Sequence, residues 1–470
     1  MSISFAGLAS GFNSADYIKA IMAQEKLPLN RLETKKEITT AYQNVFKSIQ
    51  NKLNALKDAS IGLSDLGSFQ LSKASTSDAT KLSSVADSTA VSGEYSVIIN
   101  SMAQKQVVAS KSFDASAAYN SSGLPTQLTV NGQNIDTTDL DLSGKTVGEA
   151  LGIIANEING LEDGGVQASV IQTSNGQRAL VLTAKEYGEA NKITFDTNAS
   201  WGFAEKQAAK DAHLVVNGLD VYSSTNNVKD AIPGVTLTLS NTGATTVKVE
   251  QDVDGIAAKV ETFVKAYNDI INTIKENTPK STENEDGSLS LTLQGDPMLR
   301  SLRTQLGDMA NKIVGDTTGF KLFSDIGLEI DKGVTSASLM TGNITFDKAK
   351  FKEKMIENPV LVEKMFKSVA IIKDDGTTEG MNGIATIFKE NLKEWTDSVN
   401  GIITSKIKGY DSEISFLNEQ IQGMSDRLDM KEAALKKKYV NLEVVMSSLN
   451  NQKSWITNQL AALTNSSSSS

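Results

Sequence analysis

The sequence predicts an α+β multidomain protein. Its N- and C-terminal helices form a coiled-coil or helical-bundle leg that encloses a β-rich head of two related modules. Three observations predict this. Apolar residues recur every seven positions at both chain ends, which is the pattern of a helix seam. Between about residues 70 and 252 charge thins out and Ser, Thr, Val and Gly rise, as in strands and turns. Within that middle, Leu128-Thr129-Val130-Asn131-Gly132 resembles Leu214-Val215-Val216-Asn217-Gly218. Each copy is followed by a Val-x-x-Ala-(Leu/Ile) element, Val147, Ala150, Leu151 in one case and Val228, Ala231, Ile232 in the other.

Residues 1–13 are small, glycine-rich and apolar, and carry no period. Ser14 is read as the N-cap of a helix that bears Ile18, Ile21 and Met22 and ends near Pro28. A longer helix, about 29–60, carries Tyr42, Ile49 and Leu56 seven apart, with Phe46 and Leu53 between them, and Gly62 and Gly67 are expected to close it. In the middle, Ser96–Ile99 and Gln106–Ala109 read as strands, and Gly234–Ser240 with Thr246–Gln251 as a hairpin around Asn241–Gly243. Thr146 with Glu149 makes a capping box for a helix whose apolar face is Val147, Ala150, Leu151, Ile154 and Ile158, with Gly160 just past its end. Val166, Ala168 and Val170 alternate with polar residues, Asn175-Gly176 is a tight turn, and Leu180–Ala184 returns.

Helix resumes at 253, with Val253, Ile256, Ala257, Val260, Val264, Tyr267, Ile271 and Ile274 on one stripe. Residues 277–288 form a polar loop. Asp296-Pro297 starts a helix with Leu299, Leu302, Leu306, Met309 and Ile313 on one side. A small α+β stretch, 320–367, holds strands near Ile326–Ile330 and Asn343–Phe346, then a helix capped by Asp347. Residues 373–383 are a hinge candidate. Last comes the strongest pattern in the chain, with Ile407, Ile414, Ile421, Leu428, Leu435, Leu442, Leu449, Ile456 and Leu463 seven apart without exception. A companion row of Tyr410, Leu417 and Met424 is interrupted by Lys431 and Lys438 before Val445. Ser466–Ser470 is a serine tail.

Composition removes many chemistries. The chain has 470 residues, 46 basic and 56 acidic, for a net charge of −10, which argues against a nucleic-acid surface. It has no cysteine and a single histidine, His213, so thiolate chemistry and any site needing two imidazoles are excluded. No apolar run approaches a membrane span, and the N-terminus lacks the basic and apolar regions of a secretory signal. Gly144-Lys145-Thr146 mimics the end of a phosphate loop, but Asp139 stands where that loop needs glycine, so a turn into a capped helix is the better reading. Asp252-Val253-Asp254-Gly255 lacks the later ligands of a calcium loop and reads as helix capping. His213 has no nucleophile or carboxylate motif beside it and reads as a surface or strand-end histidine. The acid pairs Glu162-Asp163 and Asp374-Asp375 sit in polar loops. No enzyme, metal site or cofactor is expected.

The termini carry a family resemblance. Gly7-Leu8-Ala9-Ser10-Gly11-Phe12 followed by Ile18–Leu29 (IKAIMAQEKLPL) resembles the opening of the flagellar filament-cap family, hook-associated protein 2. Phe12 stands where that family usually has Leu, an apolar-for-apolar exchange. Arg427–Leu460 is similar to the family's closing segment, and Asp230–Leu239, Phe263–Asn268, Ser324–Ile330 and Phe346–Phe366 are similar to its interior. The module at 146–195 resembles a β-rich repeat of flagellin and hook-associated proteins.

The resemblance implies a non-enzymatic homo-oligomer, a ring of about five subunits, that caps the distal tip of the flagellar filament and promotes folding and insertion of exported flagellin. It implies flagellin, hook–filament junction proteins and an export chaperone as partners, with neither nucleic acid nor membrane insertion. It also implies export by the flagellar type III apparatus without a cleaved signal. Another axial protein (a junction protein or flagellin) and a tip adhesin are the competing readings. The expected organisation is a partly disordered terminal region at 1–40 and a helical leg at 41–72 plus 253–400. A head module at 73–127 plus 206–252 and an inserted module at 128–205 follow, with a coiled-coil end at 401–470. The residues expected to dock subunits or filament are Ile18, Ile21, Tyr42, Ile49, Leu56, Ile407, Ile414, Ile421, Leu428, Leu435, Leu442, Leu449 and Ile456.

Overall fold

The computed structural model describes residues 14–65, 67–119, 124–194, 200–282, 292–314, 319–336, 339–373 and 378–467. The chain separates into two compact units, Met1–Asp65 with Ala257–Ser470, and Leu66–Ile256.

In chain order the helices are α1 (Ser14–Glu25), α2 (Leu27–Ser64), α3 (Val147–Gly160), α4 (Val253–Asn277), α5 (Pro297–Ala310), α6 (Lys348–Glu357), α7 (Pro359–Lys367), α8 (Ile384–Thr396) and α9 (Ile402–Ser467). All but α3 build the first unit, whose boundary falls in the first turn of α4. Pro28 lacks an amide proton and cannot continue a helix from α1, so the chain breaks at Lys26 and restarts as α2. Ser14 is the first helical residue of α1, and its hydroxyl bonds Glu443. Gly62 lies inside α2, not at its end. Burial of Phe46, Ile49, Leu53, Leu56 and Leu63 along α2 outweighs the roughly 1 kcal/mol a helical glycine costs. Gly67, at φ +82°, follows the helix.

α4 buries Ile256, Val260, Phe263, Tyr267, Ile270 and Ile274, and Phe388 of α8 meets Phe263 edge-on at 5.2 Å. Burial pushes the Tyr267 hydroxyl well above the usual tyrosine range. Asp296 caps α5 by accepting from Met298 N at 2.9 Å and Leu299 N at 3.1 Å. Ile313 lies beyond the end of α5 and is exposed, so it does not extend that apolar row. Asp347 caps α6 as expected, accepting from Lys350 N at 3.1 Å. The hinge candidate begins beside a small strand pair, Ile371–Ile372 with Thr378–Glu379, and residues 374–377 lie outside the described residues.

The second unit runs β1 (Ser72–Thr76), β2 (Leu82–Ala86), β3 (Gly93–Ser101), β4 (Val107–Ala109), β5 (Phe113–Asp114), β6 (Gln127–Val130) and β7 (Gln133–Asp136). After α3 come β8 (Val166–Ser174), β9 (Gln177–Ala184), β10 (Ala204–Gln207), β11 (Ala212–Val216), β12 (Leu219–Ser223), β13 (Asn227–Ile232), β14 (Val235–Leu239) and β15 (Gly243–Gln251). It holds two cores. One lies between a sheet ordered β1-β15-β3-β11-β12 and a sheet ordered β13-β14-β2, filled by Leu82, Val97, Leu214, Leu237 and Val247. The other lies under α3 and the sheet β10-β4-β9-β5 with β8, around Leu151, Ile154, Leu182 and Trp201.

Several expectations change here. Residues 234–251 are not a hairpin: β14 pairs with β13 and β2, whereas β15 pairs with β1 and β3, so the chain crosses between sheets at 240–242. The repeat holds for its first half only. Asn131-Gly132 and Asn217-Gly218 both turn hairpins at positive φ, but Val147–Leu151 is helix while Val228–Ile232 is strand. Val108 and Phe113 belong to the α3 core because β4 and β5 pair with β9, so that module takes in residues before 128. The Thr146–Glu149 capping box and the β8–β9 hairpin around Asn175-Gly176 stand as read, with Gly160 as the last helical residue. Asp252 caps α4 through Gly255 N at 2.9 Å.

Candidate docking surface on the terminal helices

The sequence ends are brought together antiparallel. Gln43 of α2 donates through Nε2 to Asp411 Oδ1 at 2.5 Å, and Gln50 donates to Thr404 Oγ1 at 2.9 Å. Each partner set is spaced by seven residues, so polar rungs mark the register of α2 on α9. Sequence reading passed over these rungs, although Gln43 and Gln50 form their own seven-residue row beside Tyr42 and Ile49. Lys406 also went unread. Its ammonium lies 5.4 Å from the Phe46 ring centroid and 5.2 Å from that of Tyr410, and 3.5 Å from Asp296, tying α2, α5 and α9 together. Burial raises the Tyr410 hydroxyl above its ordinary value, against the opposing field of Lys406.

Further along α9, α1 takes over. Ile18 and Met22 pack with Leu428, flanked by Leu29, Met424, Leu435 and Tyr439. Glu25 pairs with Lys431 at 2.7 Å, so the first lysine that breaks the companion row serves as an ion-pair partner.

The thirteen expected docking residues therefore divide. Ile49 and Leu56 are fully buried, and Ile18, Ile407 and Leu428 are buried. Ile21, Tyr42, Ile414, Ile421 and Leu435 are half-buried, and the Tyr42 hydroxyl donates to Thr292 O at 3.2 Å. Leu442, Leu449 and Ile456 are 45%, 53% and 51% exposed on the same unbroken row. Val444, Val445, Trp455 and Leu460 are exposed around them. That is a long apolar face on a helix whose other half is covered.

His213 has a carboxylate partner that sequence reading missed. Asp220 Oδ1 lies 2.7 Å from its Nε2, brought there by the β11–β12 turn, and Tyr222 stacks on the ring at 4.5 Å. The register of that hairpin, legible from Asn217-Gly218, was the available signal. Among the described residues no group of three or more His, Asp or Glu side chains could hold a metal ion, and no helix is long and apolar enough to cross a membrane.

Both chain ends build one helical unit and the middle builds a β-rich unit with two cores, which defines an α+β protein of two units. Residues 10–106 match the family described as Flagellar hook-associated protein 2 N-terminus, and residues 209–451 match Flagellar hook-associated protein 2 C-terminus. Flagellar hook-associated protein 2 of Escherichia coli (strain K12) is 28% identical over 490 residues, covering 99% of each chain. The A-type flagellar hook-associated protein 2 of Pseudomonas aeruginosa is 25% identical over 500 residues, covering 97% of each. The crystal structure of the D1-D2-D3 domains of the Escherichia coli flagellar cap protein FliD has the same fold, with TM-score 0.56 at 24% identity over 78% of this chain and 99% of that one. The chain belongs to the flagellar hook-associated protein 2 family. It is a structural cap protein of the bacterial flagellar filament, located at the filament tip, and the junction-protein and flagellin readings fall away.

Proposed function

We propose that the apolar face of α9 from Leu442 to Leu460 is the surface through which subunits dock on one another and on the filament. The supporting observation is the change of burial along a single seven-residue row, covered through Leu428 and open from Leu442. A buried Leu or Ile contributes about 1.5–3 kcal/mol, so three such residues per subunit supply enough to hold an oligomer together only when it assembles. The covered residues of the row, with Ile18, Ile49 and Leu56, set the shape of the leg that presents this face.

On this reading the protein is a homo-oligomeric ring of about five subunits that meets flagellin at the tip and helps it fold and insert. Hook–filament junction proteins contact the leg, and an export chaperone covers the apolar face before secretion. Export proceeds through the flagellar type III apparatus without a cleaved signal. The helical unit serves as leg and the two-core unit as the exposed head.

A cap-null strain complemented with Leu449→Asp/Ile456→Asp tests it. Loss of swimming, with unpolymerised flagellin shed into the medium and the variant still secreted, supports the reading. Normal swimming with full-length filaments overturns it.

A further inference from the structure

Six Asn-Gly dipeptides occur in the chain, at Asn131, Asn159, Asn175, Asn217, Asn382 and Asn400. This dipeptide is the one most prone to lose its side-chain amide, because glycine puts no side chain in the way of its own nitrogen. The reaction needs a carboxamide free to rotate and a following backbone nitrogen free to reach it. The fold withholds one or both at five of the six.

Asn131 donates to Gly164 O at 2.9 Å and accepts from Thr194 N at 2.8 Å. Asn159 clamps both main-chain groups of Ala168, at 2.9 and 2.8 Å. Asn217 accepts from Ser96 N at 2.9 Å. Asn382 accepts from Ala370 N at 2.7 Å, and the Gly383 nitrogen is held on Ser368 O at 2.8 Å. Asn400 is exposed, but Gly401 is buried and its nitrogen is held on Asp397 O at 3.1 Å.

Asn175 differs in both respects. It is exposed at the β8–β9 tip, and its carboxamide has no partner among the described residues. Ser174 pairs with Gln177, which leaves the Gly176 nitrogen in the two-residue loop outside the strand ladder.

We propose that Asn175 is a site of spontaneous deamidation in the folded protein. The Gly176 nitrogen, having given up its proton to hydroxide, attacks Cγ of Asn175. The new C–N bond closes a succinimide, and the Cγ–amide bond breaks to release ammonia. Water then opens the ring at either carbonyl. The products are aspartate, or isoaspartate with the main chain routed through the former side chain.

The change reaches beyond the tip. The Gly176 carbonyl accepts from Ala115 N at 2.8 Å, and the Ala115 carbonyl accepts from Gly148 N at 3.1 Å in the first turn of α3. An isoaspartate lengthens the backbone at the start of this chain of bonds. Either product adds a carboxylate near Asp114, which pairs with Gln177. The conversion therefore marks the age of an extracellular subunit and loosens one end of the α3 module.

The test is peptide mass mapping of the full-length chain after incubation at neutral and alkaline pH. The peptide containing Asn175 should convert at least roughly tenfold faster than the other five, since those must first open locally. Its rate should rise with pH, and isoaspartyl methyltransferase should label the chain there. Asn175→Gln should abolish that labelling. In urea all six peptides should convert at comparable rates. No conversion at Asn175 in the folded chain, or equal rates at the other five without urea, overturns the proposal.

Discussion

The two halves of α9 carry one sequence pattern and meet two fates. From Ile407 to Leu435 the seven-residue row is buried or half-buried along α2 and α1, and Leu442, Leu449 and Ile456 of the same row are exposed. Periodicity therefore reports that a helix has an apolar stripe and is silent on what covers it. The covered half is a folding element. The exposed half has the composition of a seam that no described residue buries, and that difference is what the proposed docking role requires.

The sharpest way to break the comparison is inside the covered half. Phe46→Ala removes a fully buried ring that touches Tyr410 at 5.7 Å. It should destabilise the helical unit by about 3–5 kcal/mol, read as a lower denaturation midpoint. Gln50→Ala deletes a polar rung but leaves the Thr404 hydroxyl its bond to Asp397 O at 2.8 Å. The expected loss is about 0.5–1.5 kcal/mol, and adding Thr404→Val should deepen it by removing the bond to Asp397. Glu25→Gln tests the α1 clasp. Its pair with Lys431 is exposed, so the stability change should stay under about 1 kcal/mol. The readout is faster proteolysis of α1, while α2 keeps its protection.

The smallest effect concerns acid. Burial raises the Asp331 carboxyl, but the Thr341 hydroxyl, the Gly342 and Thr341 amides and the Arg303 charge outweigh burial and hold it below the usual aspartate value. Its contribution is present above the ordinary aspartate pKa of about 3.9 and is lost as pH falls through the lower folded value. Asp331→Asn should flatten that acid-side decline in thermal stability and leave the neutral-pH assembly state unchanged.

Much of the fold was legible locally. The Thr146–Glu149 box, the Asp296-Pro297 and Asp347 caps, and the Asn-Gly turns all rest on bonds within a few residues, which sequence specifies directly. What escaped reading depends on distant partners. β14 and β15 are adjacent in sequence, yet they do not pair with each other, and each takes one neighbour from a strand more than a hundred residues earlier, β2 and β3. The Val228 copy of the repeat became strand because β14 pairs with it, with Asp230 at φ +60° in a bulge. At the proposed docking surface the row itself was fully legible. Where burial falls off was not, because that depends on the register of α1 on α9.

Sedimentation velocity of the full-length chain, run beside Leu442→Asp/Leu449→Asp with circular dichroism on the same samples, tests the central claim most directly. Wild type should sediment as a closed oligomer. The double variant should sediment as monomer with its helix content and denaturation midpoint within about 0.5 kcal/mol of wild type. A variant that still assembles as wild type does, or that loses the helical unit along with assembly, would contradict the division of α9 into a folding half and a docking half.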